Sequence, residues 1–284
     1  MGEIWRLTTS DGRFAIKESF ERVDGADLDE EAAFQAAARA AGVPAPEVIR
    51  TSDGRVLAEH HGHQLRVFGW VDLRDVDRTL DPLSVGRTIA AIHQVPFRGT
   101  RATDPWYTDP VGADRWDELV AKLEARRAPF AVAMAAYRDE LVALETLMEP
   151  AADLRTCHRD LWAENIRATD TDGLCVIDWE NCGAADPSQE LAGVLFEFCA
   201  ESPERARAFY RAYIEAGGPG RVERPGHFSM TIAQLGHIGE IGCRTWLDET
   251  EPRFEREHAI ERVREFTDLV LTRAAIDDLL AWLG

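Results

Sequence analysis

The stretch from Cys157 to Asn181 constrains this chain more than any other part of its sequence. It reads Cys-His-Arg-Asp-Leu-Trp-Ala-Glu-Asn-Ile-Arg and then, after a turn, Leu-Cys-Val-Ile-Asp-Trp-Glu-Asn. Two short apolar runs within it predict two strands with a turn between them. Asp160, Asn165 and Asp178 lie near the ends of these runs. The stretch therefore predicts a hairpin that holds oxygen-bearing side chains at its ends.

The polar residues of this hairpin follow a spacing that phosphoryl-transfer chemistry uses. His158, Arg159 and Asp160, followed by Asn165, match the catalytic-loop pattern H-R-D-x-x-x-x-N. In that pattern the aspartate accepts the proton of the attacking hydroxyl. The asparagine shares magnesium with a second carboxylate beyond the hairpin, because a hard cation takes oxygen ligands. Asp178 fits that position, so we expect Asp160 to be catalytic and Asn165 and Asp178 to bind the metal.

The residues after Asp178 are Trp179 and Glu180, where protein kinases have Phe-Gly. The stretch resembles the aminoglycoside phosphotransferase and choline kinase group of small-molecule kinases, in which an HxDxxxxN loop precedes a hairpin and an I-D-W/F-E/D segment. The matching residues are His158, Asp160, Asn165, Ile177, Asp178, Trp179 and Glu180. The resemblance implies an α+β, two-lobed protein-kinase-like fold. Residues 1–71 would form a nucleotide-binding lobe, a small antiparallel sheet with one helix, and residues 72–284 a larger, mostly helical lobe for catalysis and acceptor binding.

Composition limits the possible partners and compartments. With 284 residues, 45% of them apolar, the chain can form one large domain or two lobes. It has neither an apolar run long enough to span a membrane nor a signal-peptide pattern, so we expect a cytoplasmic protein without a membrane partner. A formal net charge of -19 argues against nucleic acid as a partner, since phosphate backbones bind basic patches. The five cysteines form no C-x-x-C pair and are expected to be buried apolar residues.

The N-terminal part predicts a five-stranded antiparallel sheet with one helix. Asp11 and Gly12 provide a turn for the first hairpin. The predicted strands cover residues 5–9, 14–18, 48–51, 55–61 and 64–70, and the predicted helix covers 29–41 with Asp27 or Asp29 as its cap. Kinase-like enzymes usually have a further strand and a glycine-bearing loop before this hairpin. Here the first strand and loop are either shortened or lie upstream of Met1.

Lys17 is one of only two lysines among 32 basic residues, which hints that a compact ammonium is needed there. In the kinase plan a strand lysine contacts the nucleotide phosphates and pairs with a glutamate on the next helix. The resemblance implies Glu31 as that glutamate, with Glu30 as a competitor. It also implies nucleotide contacts from the backbone of the linker between the lobes, which contains Gly69, Trp70 and Val71.

Four more side chains of the catalytic region receive supporting roles from the resemblance. His158 braces the loop by hydrogen bonding and transfers no proton. Arg159 stands where many relatives have glycine, and we expect it to pair with a nearby Asp or Glu. Asp186, in the run Asp-Pro-Ser-Gln-Glu-Leu, braces the catalytic loop, caps the following helix, or does both. Glu180 supports the site as a member of the I-D-W-E segment.

Helical periodicity dominates the second part of the sequence. The predicted helices cover residues 81–93, 116–126, 129–148, 204–216, 228–247, 254–270 and 273–283, with another that opens at Asp186. In the helix 228–247, Gln234, His237, Glu240 and Arg244 form a polar stripe that faces either the acceptor or solvent. Trp106 and Tyr107, in a loop, either line a substrate pocket or pack on the surface.

These features predict a magnesium-dependent enzyme that moves the γ-phosphoryl group of ATP or GTP to a hydroxyl of a small molecule. From Ala151 onward, the sequence contains 25 acidic residues and 14 arginines. That balance is compatible with a cationic antibiotic such as an aminoglycoside, and hence with antibiotic resistance, and equally with a choline-like amine. Homoserine-like and sugar acceptors also stay open. The rival is a nucleotide-binding pseudokinase, which the short N-terminus favours and the intact set of Asp160, Asn165 and Asp178 opposes. Protein kinase activity is disfavoured, because no A-P-E segment follows.

Overall fold

The computed structural model describes residues 2–19, 25–171, 173–268 and 271–284. Two compact units make up the chain, and each combines three separate segments. Unit 1 contains Met1–Ala102, Asp153–Pro187 and Val194–Gly220, and unit 2 contains Thr103–Ala152, Ser188–Gly193 and Arg221–Gly284. The N-terminal sheet and the catalytic hairpin therefore belong to the same unit.

The chain forms an N-terminal sheet with one helix, and the rest of it is largely helical. The strands are β1 (Gly2–Thr9), β2 (Gly12–Ser19), β3 (Val48–Ile49), β4 (Ala58–His60), β5 (His63–Gly69), β6 (Arg155–Cys157), β7 (Ile166–Ala168), β8 (Leu174–Val176) and β9 (Gly183–Ala185). The helices are α1 (Gly25–Ala40), α2 (Pro82–His93), α3 (Pro105–Thr108), α4 (Ala113–Ala125), α5 (Ala131–Glu145), α6 (Pro187–Cys199), α7 (Pro203–Glu215), α8 (Ser229–Leu247), α9 (Arg253–Asp268) and α10 (Arg273–Leu283). Residues 269 and 270, predicted to end the helix 254–270, lie outside the described residues.

The N-terminal sheet of unit 1 confirms the predicted five antiparallel strands. Their order is β1-β2-β5-β3, and β4 also pairs with β5. Thr9 pairs with Gly12, which leaves a two-residue turn between β1 and β2. Helix α1 begins at Gly25, earlier than expected, so Asp27 lies in its first turn and does not cap it. A carboxylate in the first turn still favours the helix, because it faces the positive end of the helix dipole.

Unit 1 also contains two short strand pairs and the helices α2 and α7. β6 pairs with β9, and β7 pairs with β8. Asp81 caps α2 by accepting from the amides of Leu83 and Ser84. α2 and α7 approach closely at Gly86, where an added Cβ would lie 2.5 Å from the carbonyl oxygen of Phe209. Only glycine fits such a contact without displacing the backbone.

Unit 2 is a helical cluster with its own apolar core. Its buried side chains come from α4, α5, α8 and α9 and include Trp116, Leu119, Leu123, Met134, Cys243 and Phe266. The predicted polar stripe of α8 is solvated only at its C-terminal end, because Gln234 and Glu240 are buried whereas the Arg244 side chain is 59% exposed. Glu240 accepts from Arg115, and His237 stacks on Trp106 with ring centroids 5.3 Å apart. The rest of the stripe thus packs against α3 and α4 of its own unit.

Candidate active site

The catalytic hairpin holds the Asp160 carboxylate with two amide donors. Asn165, immediately before β7, donates from Nδ2 to Asp160 Oδ2 and to the Asp160 carbonyl, both at 2.9 Å. Asn181, beyond β8, donates to the same Oδ2 at 3.1 Å. Because donors from both sides of the hairpin reach one carboxylate oxygen, its orientation is fixed by the fold.

The backbone brings Asp178 next to Asn165. The amide of Ile177 donates to the carbonyl of Asn165 at 2.9 Å, and Asp178 follows directly in a left-handed conformation with φ 58 and ψ 65. His158 is fully buried and donates from Nε2 to the Ile177 carbonyl at 3.1 Å. Its ring packs on Trp179 at a centroid distance of 4.7 Å. These are the contacts that a bracing role for His158 requires.

Arg159 also has a left-handed backbone, with φ 66. Its Nε donates to the Asn181 carbonyl at 2.5 Å, and Nη2 donates to the Cys182 carbonyl at 3.3 Å. Gly183 makes room for this guanidinium, since a Cβ there would lie 2.6 Å from Arg159 Cζ. The side chain thus fastens the segment that follows Asp178 to the catalytic loop.

Lys17, in β2, contacts both acidic residues that follow the hairpin. Its Nζ lies 2.9 Å from Asp178 Oδ1, and it also pairs with Glu180. The lysine side chain is 15% exposed, whereas that of Asp178 is 38% exposed. The predicted phosphate-binding lysine and the predicted second magnesium ligand are therefore direct neighbours.

Glu31, in α1, is buried and pairs with Arg66 of β5. Its Oε1 and Oε2 accept from Arg66 Nη1 at 2.9 and 3.1 Å. The prediction that Glu31 pairs with Lys17 is therefore wrong. Among the described residues, the ion pairs of Lys17 are with Asp178 and Glu180. The reason is that Arg66 lies directly opposite Lys17 in the sheet and takes the Glu31 carboxylate. Burial raises the pKa of Glu31, and the charge of Arg66 opposes that rise.

Glu30, the competitor of Glu31, has different partners. It accepts from the amides of Thr100 and Arg101 at 2.8 and 3.1 Å, and from the Thr100 hydroxyl. Burial raises the pKa of Glu30, but these hydrogen bonds outweigh it and leave the pKa below its ordinary value. Arg101 also donates to the carbonyls of Glu180 and Cys182 at 2.8 and 2.9 Å. The segment at Arg101 thus connects α1 with the residues after the hairpin.

A cleft with a cavity volume of about 200 Å³ lies beside these charged groups. Its apolar lining residues are Ile4, Ala15, Pro46, Phe68, Val71, Leu73 and Ile177. Its charged lining residues are Lys17, Glu31, Asp178 and Glu180. Apolar walls with a few converging charges are typical of a small-molecule site.

The three predicted linker residues all line this cleft. The amide of Gly69 donates to the Glu47 carbonyl at 2.8 Å, and that of Trp70 donates to the Arg13 carbonyl at 3.1 Å. Among the described residues, no backbone carbonyl accepts from the amide of Val71. Val71 is therefore the linker residue that lines the cleft with an N–H that no described backbone carbonyl engages.

Asp186, which precedes α6, is buried and accepts from the amide of Asp153 at 3.3 Å. That bond joins the residue after β9 to the segment before β6, which leads into the catalytic loop. Its bracing and capping roles stay predictions.

Sequence reasoning missed three side chains of this site, Arg66, Arg101 and Asn181. The sequence offered a hint for Arg66, because it lies two positions after Gln64 and so shares one face of β5 with that polar residue. The structure buries both side chains. Asn181 and Arg101 carry no pattern of their own. Their contacts appear only when distant segments are brought together.

An N-terminal sheet with a strand lysine and one helix, followed by a hairpin that presents Asp160, Asn165 and Asp178, defines the protein-kinase-like class of fold. The profile of the APH phosphotransferase enzyme family matches residues 3–224. The chain belongs to this family, and it is a phosphotransferase.

Solved structures with the same fold include kinases for several small molecules. An aminoglycoside phosphotransferase from Alicyclobacillus acidocaldarius is 16% identical with a TM-score of 0.64, and the match covers 100% of this chain and 92% of that one. A spectinomycin phosphotransferase is 11% identical with a TM-score of 0.70, covering 94% and 88%. A choline/ethanolamine kinase family protein from Mesorhizobium loti is 16% identical with a TM-score of 0.52, covering 100% and 92%. Identities this low show the fold alone.

No curated protein sequence matches the chain at a significant level. In the part of the chain that the structure describes, no helix has both the length and the apolar character that crossing a membrane requires.

Proposed function

We propose that this enzyme transfers the γ-phosphoryl group of ATP or GTP to a hydroxyl group of a small-molecule acceptor. The observation that carries the proposal is the double role of Asn165. Its side-chain amide donates to the Asp160 carboxylate, and its main-chain carbonyl accepts from the amide of Ile177, next to Asp178. It thereby couples a carboxylate that can take a proton to one that can hold a cation. Two similar structures are complexes with ADP and with AMP-PNP, which supports a nucleotide donor.

The donor nucleotide would occupy the cleft beside Lys17. The apolar walls suit a nucleobase, the amide of Val71 can donate to it, and Lys17 can turn to the phosphates. Asn165 and Asp178 would hold magnesium, which supplies neutralisation of phosphate charge. Their chemistry fits that ion, because both offer the hard oxygen donors that magnesium takes. The Nδ2 of Asn165 is already engaged with Asp160, so its amide oxygen is the atom left for a cation.

The reaction needs little covalent chemistry from the protein and depends on positioning and charge. The acceptor hydroxyl oxygen attacks the γ-phosphorus, the bond from that phosphorus to the β,γ-bridging oxygen breaks, and the nucleoside diphosphate leaves. Asp160, held by Asn165 and Asn181, orients the hydroxyl and accepts its proton. Arg159 and His158 keep the loop and the following segment in place.

We favour a cationic acceptor. A chain with a formal net charge of -19 raises the local concentration of positively charged solutes near its surface. Similar structures are named for aminoglycosides, spectinomycin, amicoumacin, choline and ethanolamine. An aminoglycoside acceptor would make the enzyme a resistance factor, and a choline-like amine would make it a metabolic kinase.

The test is magnesium-dependent consumption of ATP and GTP across a panel of aminoglycosides, spectinomycin, macrolides, choline, ethanolamine, homoserine and small sugars. Asp160→Asn is the control, because it keeps the shape of the site and removes the proton acceptor. We expect turnover with one class of acceptor, and a fall of about 10²- to 10⁴-fold in Asp160→Asn with nucleotide binding retained.

Two results would contradict this proposal. Unchanged turnover in Asp160→Asn would remove that residue from the chemistry. Nucleotide binding without turnover on any acceptor of the panel would favour the pseudokinase.

A further inference from the structure

Arg66 is a buried cation that the proposed reaction does not use. Strand β5 places it directly opposite Lys17 of β2, and its side chain is 2% exposed. Two like charges in directly opposite positions of an antiparallel pair repel each other, and a buried cation without compensation is costly. Carboxylates from other segments must therefore balance this pair.

Three carboxylates provide that balance. Glu31 of α1 binds Arg66 with both oxygens, and Glu180 binds Arg66 Nη2. Glu180 is shared, because it also pairs with Lys17. Lys17 has Asp178 as its other partner. The five side chains form one network in which two cations meet three anions.

We propose that Arg66 is a positioning residue for nucleotide binding: it holds Glu31 and Glu180, and so frees Lys17 to leave the carboxylates for the nucleotide phosphates. The inference rests on the proposed function. Without Arg66, Lys17 would be the only cation left among these five side chains against three carboxylates, and Arg101 would be the other positive charge that acts on Glu31. The buried Glu31 would then compete with phosphate for the ammonium, because an unpaired buried carboxylate gains most from a cation.

The shape of the guanidinium matters as well as its charge. Arg66 uses different nitrogens for Glu31 and Glu180, which the planar fork of an arginine allows. A lysine at the same place would carry its charge on a single nitrogen. Arg66→Lys should therefore keep the charge balance and lose part of the positioning.

The experiment measures ADP affinity, in the presence of magnesium, by calorimetric titration of the 284-residue protein. Arg66→Met keeps a long side chain and removes the charge. We expect it to weaken ADP binding by at least about tenfold, and Arg66→Lys by less. The double variant Arg66→Met with Glu31→Gln removes the surplus carboxylate as well, and should recover most of the lost affinity.

Lys17→Ala is the matched background for this comparison. If Arg66 acts through Lys17, Arg66→Met should have little further effect on ADP affinity once Lys17 is absent, because coupled residues are not additive. A purely structural role would give the same loss in both backgrounds and no recovery in the double variant.

The outcomes separate this inference from the proposed function. If the unaltered protein binds no nucleotide, the proposed function fails and this inference fails with it. If that protein binds ADP and Arg66→Met binds it equally well, only the inference is overturned. Equal loss in the two Lys17 backgrounds also overturns it. If circular dichroism shows that Arg66→Met does not fold, the ADP titration of Arg66→Lys takes its place. Unchanged ADP affinity in Arg66→Lys then overturns the inference.

Discussion

At the scale of single residues, the five cysteines behave as small apolar groups. All five are free and buried, as their spacing led us to expect. Burial raises the pKa of Cys182, Cys199 and Cys243 to about 12, and that of Cys175 to about 11. Because the thiolate is the reactive form, thiols with such pKa values are almost entirely protonated at neutral pH.

We therefore expect the folded protein to resist thiol reagents. Titration with a chromogenic disulfide at pH 7 should find no fast-reacting cysteine, and addition of denaturant should release all five. Reactivity should grow as the pH rises towards the raised pKa values, since more thiolate then forms. A cysteine that reacts in the folded protein as fast as a small free thiol would contradict this.

Some residues of the site could be identified from the sequence, and others could not. Asp160, Asn165 and Asp178 belong to one local segment, so their spacing alone was enough to group them. Lys17 was found because a lysine after an apolar strand has a known use. The predicted partner of Lys17, Glu31, was wrong, because the partner of Glu31 depends on strand register. The register places Arg66 opposite Lys17, although 48 residues lie between them.

At the scale of elements, long amphipathic helices were predicted well, and so were the short strands β7 and β8, which an apolar run marks. The predicted and observed bounds of the last helix, α10, agree at both ends. β6 and β9 were missed, because each has three residues and exists only through pairing such as that of Thr156 with Ala184. The short helix α3 was missed within a loop rich in turn residues. A helix of several turns shows its period in the local sequence. A three-residue strand shows none, and β6 and β9 also lack the apolar run and turn that made β7 and β8 recognisable.

The packing of α2 on α7 yields a stability prediction. A methyl group added by Gly86→Ala would lie 2.5 Å from the Phe209 carbonyl oxygen, so the helix backbones must separate. We expect the free energy of unfolding to fall by about 1–3 kcal/mol, as for other overpacked cores. Urea unfolding followed by circular dichroism measures it.

The matched control is Gly236→Ala in α8. Its nearest neighbours would be a Val111 methyl at 3.4 Å and the Trp116 ring at 3.8 Å, which are ordinary contacts. Replacing a helical glycine there should leave the free energy of unfolding unchanged or raise it by up to about 1 kcal/mol. Equal effects of the two substitutions would show that the close approach at Gly86 does not limit packing.

At the scale of the whole molecule, sequence order and compactness do not coincide. Unit 1 takes residues from three parts of the chain, and its N-terminal sheet relies on the segment 153–187. Phe34 of α1 packs edge-on against Trp179 at a centroid distance of 5.4 Å. The cations Lys17 and Arg66 also find carboxylate partners in that segment. The lobe boundary at residue 71 stays a prediction.

A fragment containing only residues 1–102 should therefore not reach the native state. It would lack Trp179 and the Asp178 and Glu180 carboxylates, so an apolar face and two neighbouring cations would lose their partners. We expect poor amide dispersion in NMR spectra and no cooperative urea transition, in contrast to the 284-residue chain. A fragment with dispersed signals and a sharp transition would contradict this.

The left-handed backbones of Arg159 and Asp178 matter for engineering. Among the described residues, the non-glycine positions with positive φ are His61, Arg127, Arg159 and Asp178, and the last two lie in the catalytic region. Each such conformation costs on the order of 1 kcal/mol, which glycine would partly relieve. A mutant library ranked only by melting temperature would score glycine at Asp178 by this relief set against the lost ion pair with Lys17, and not by its effect on the reaction. That change discards a proposed magnesium ligand, so thermal screening alone would not protect the chemistry it was meant to preserve.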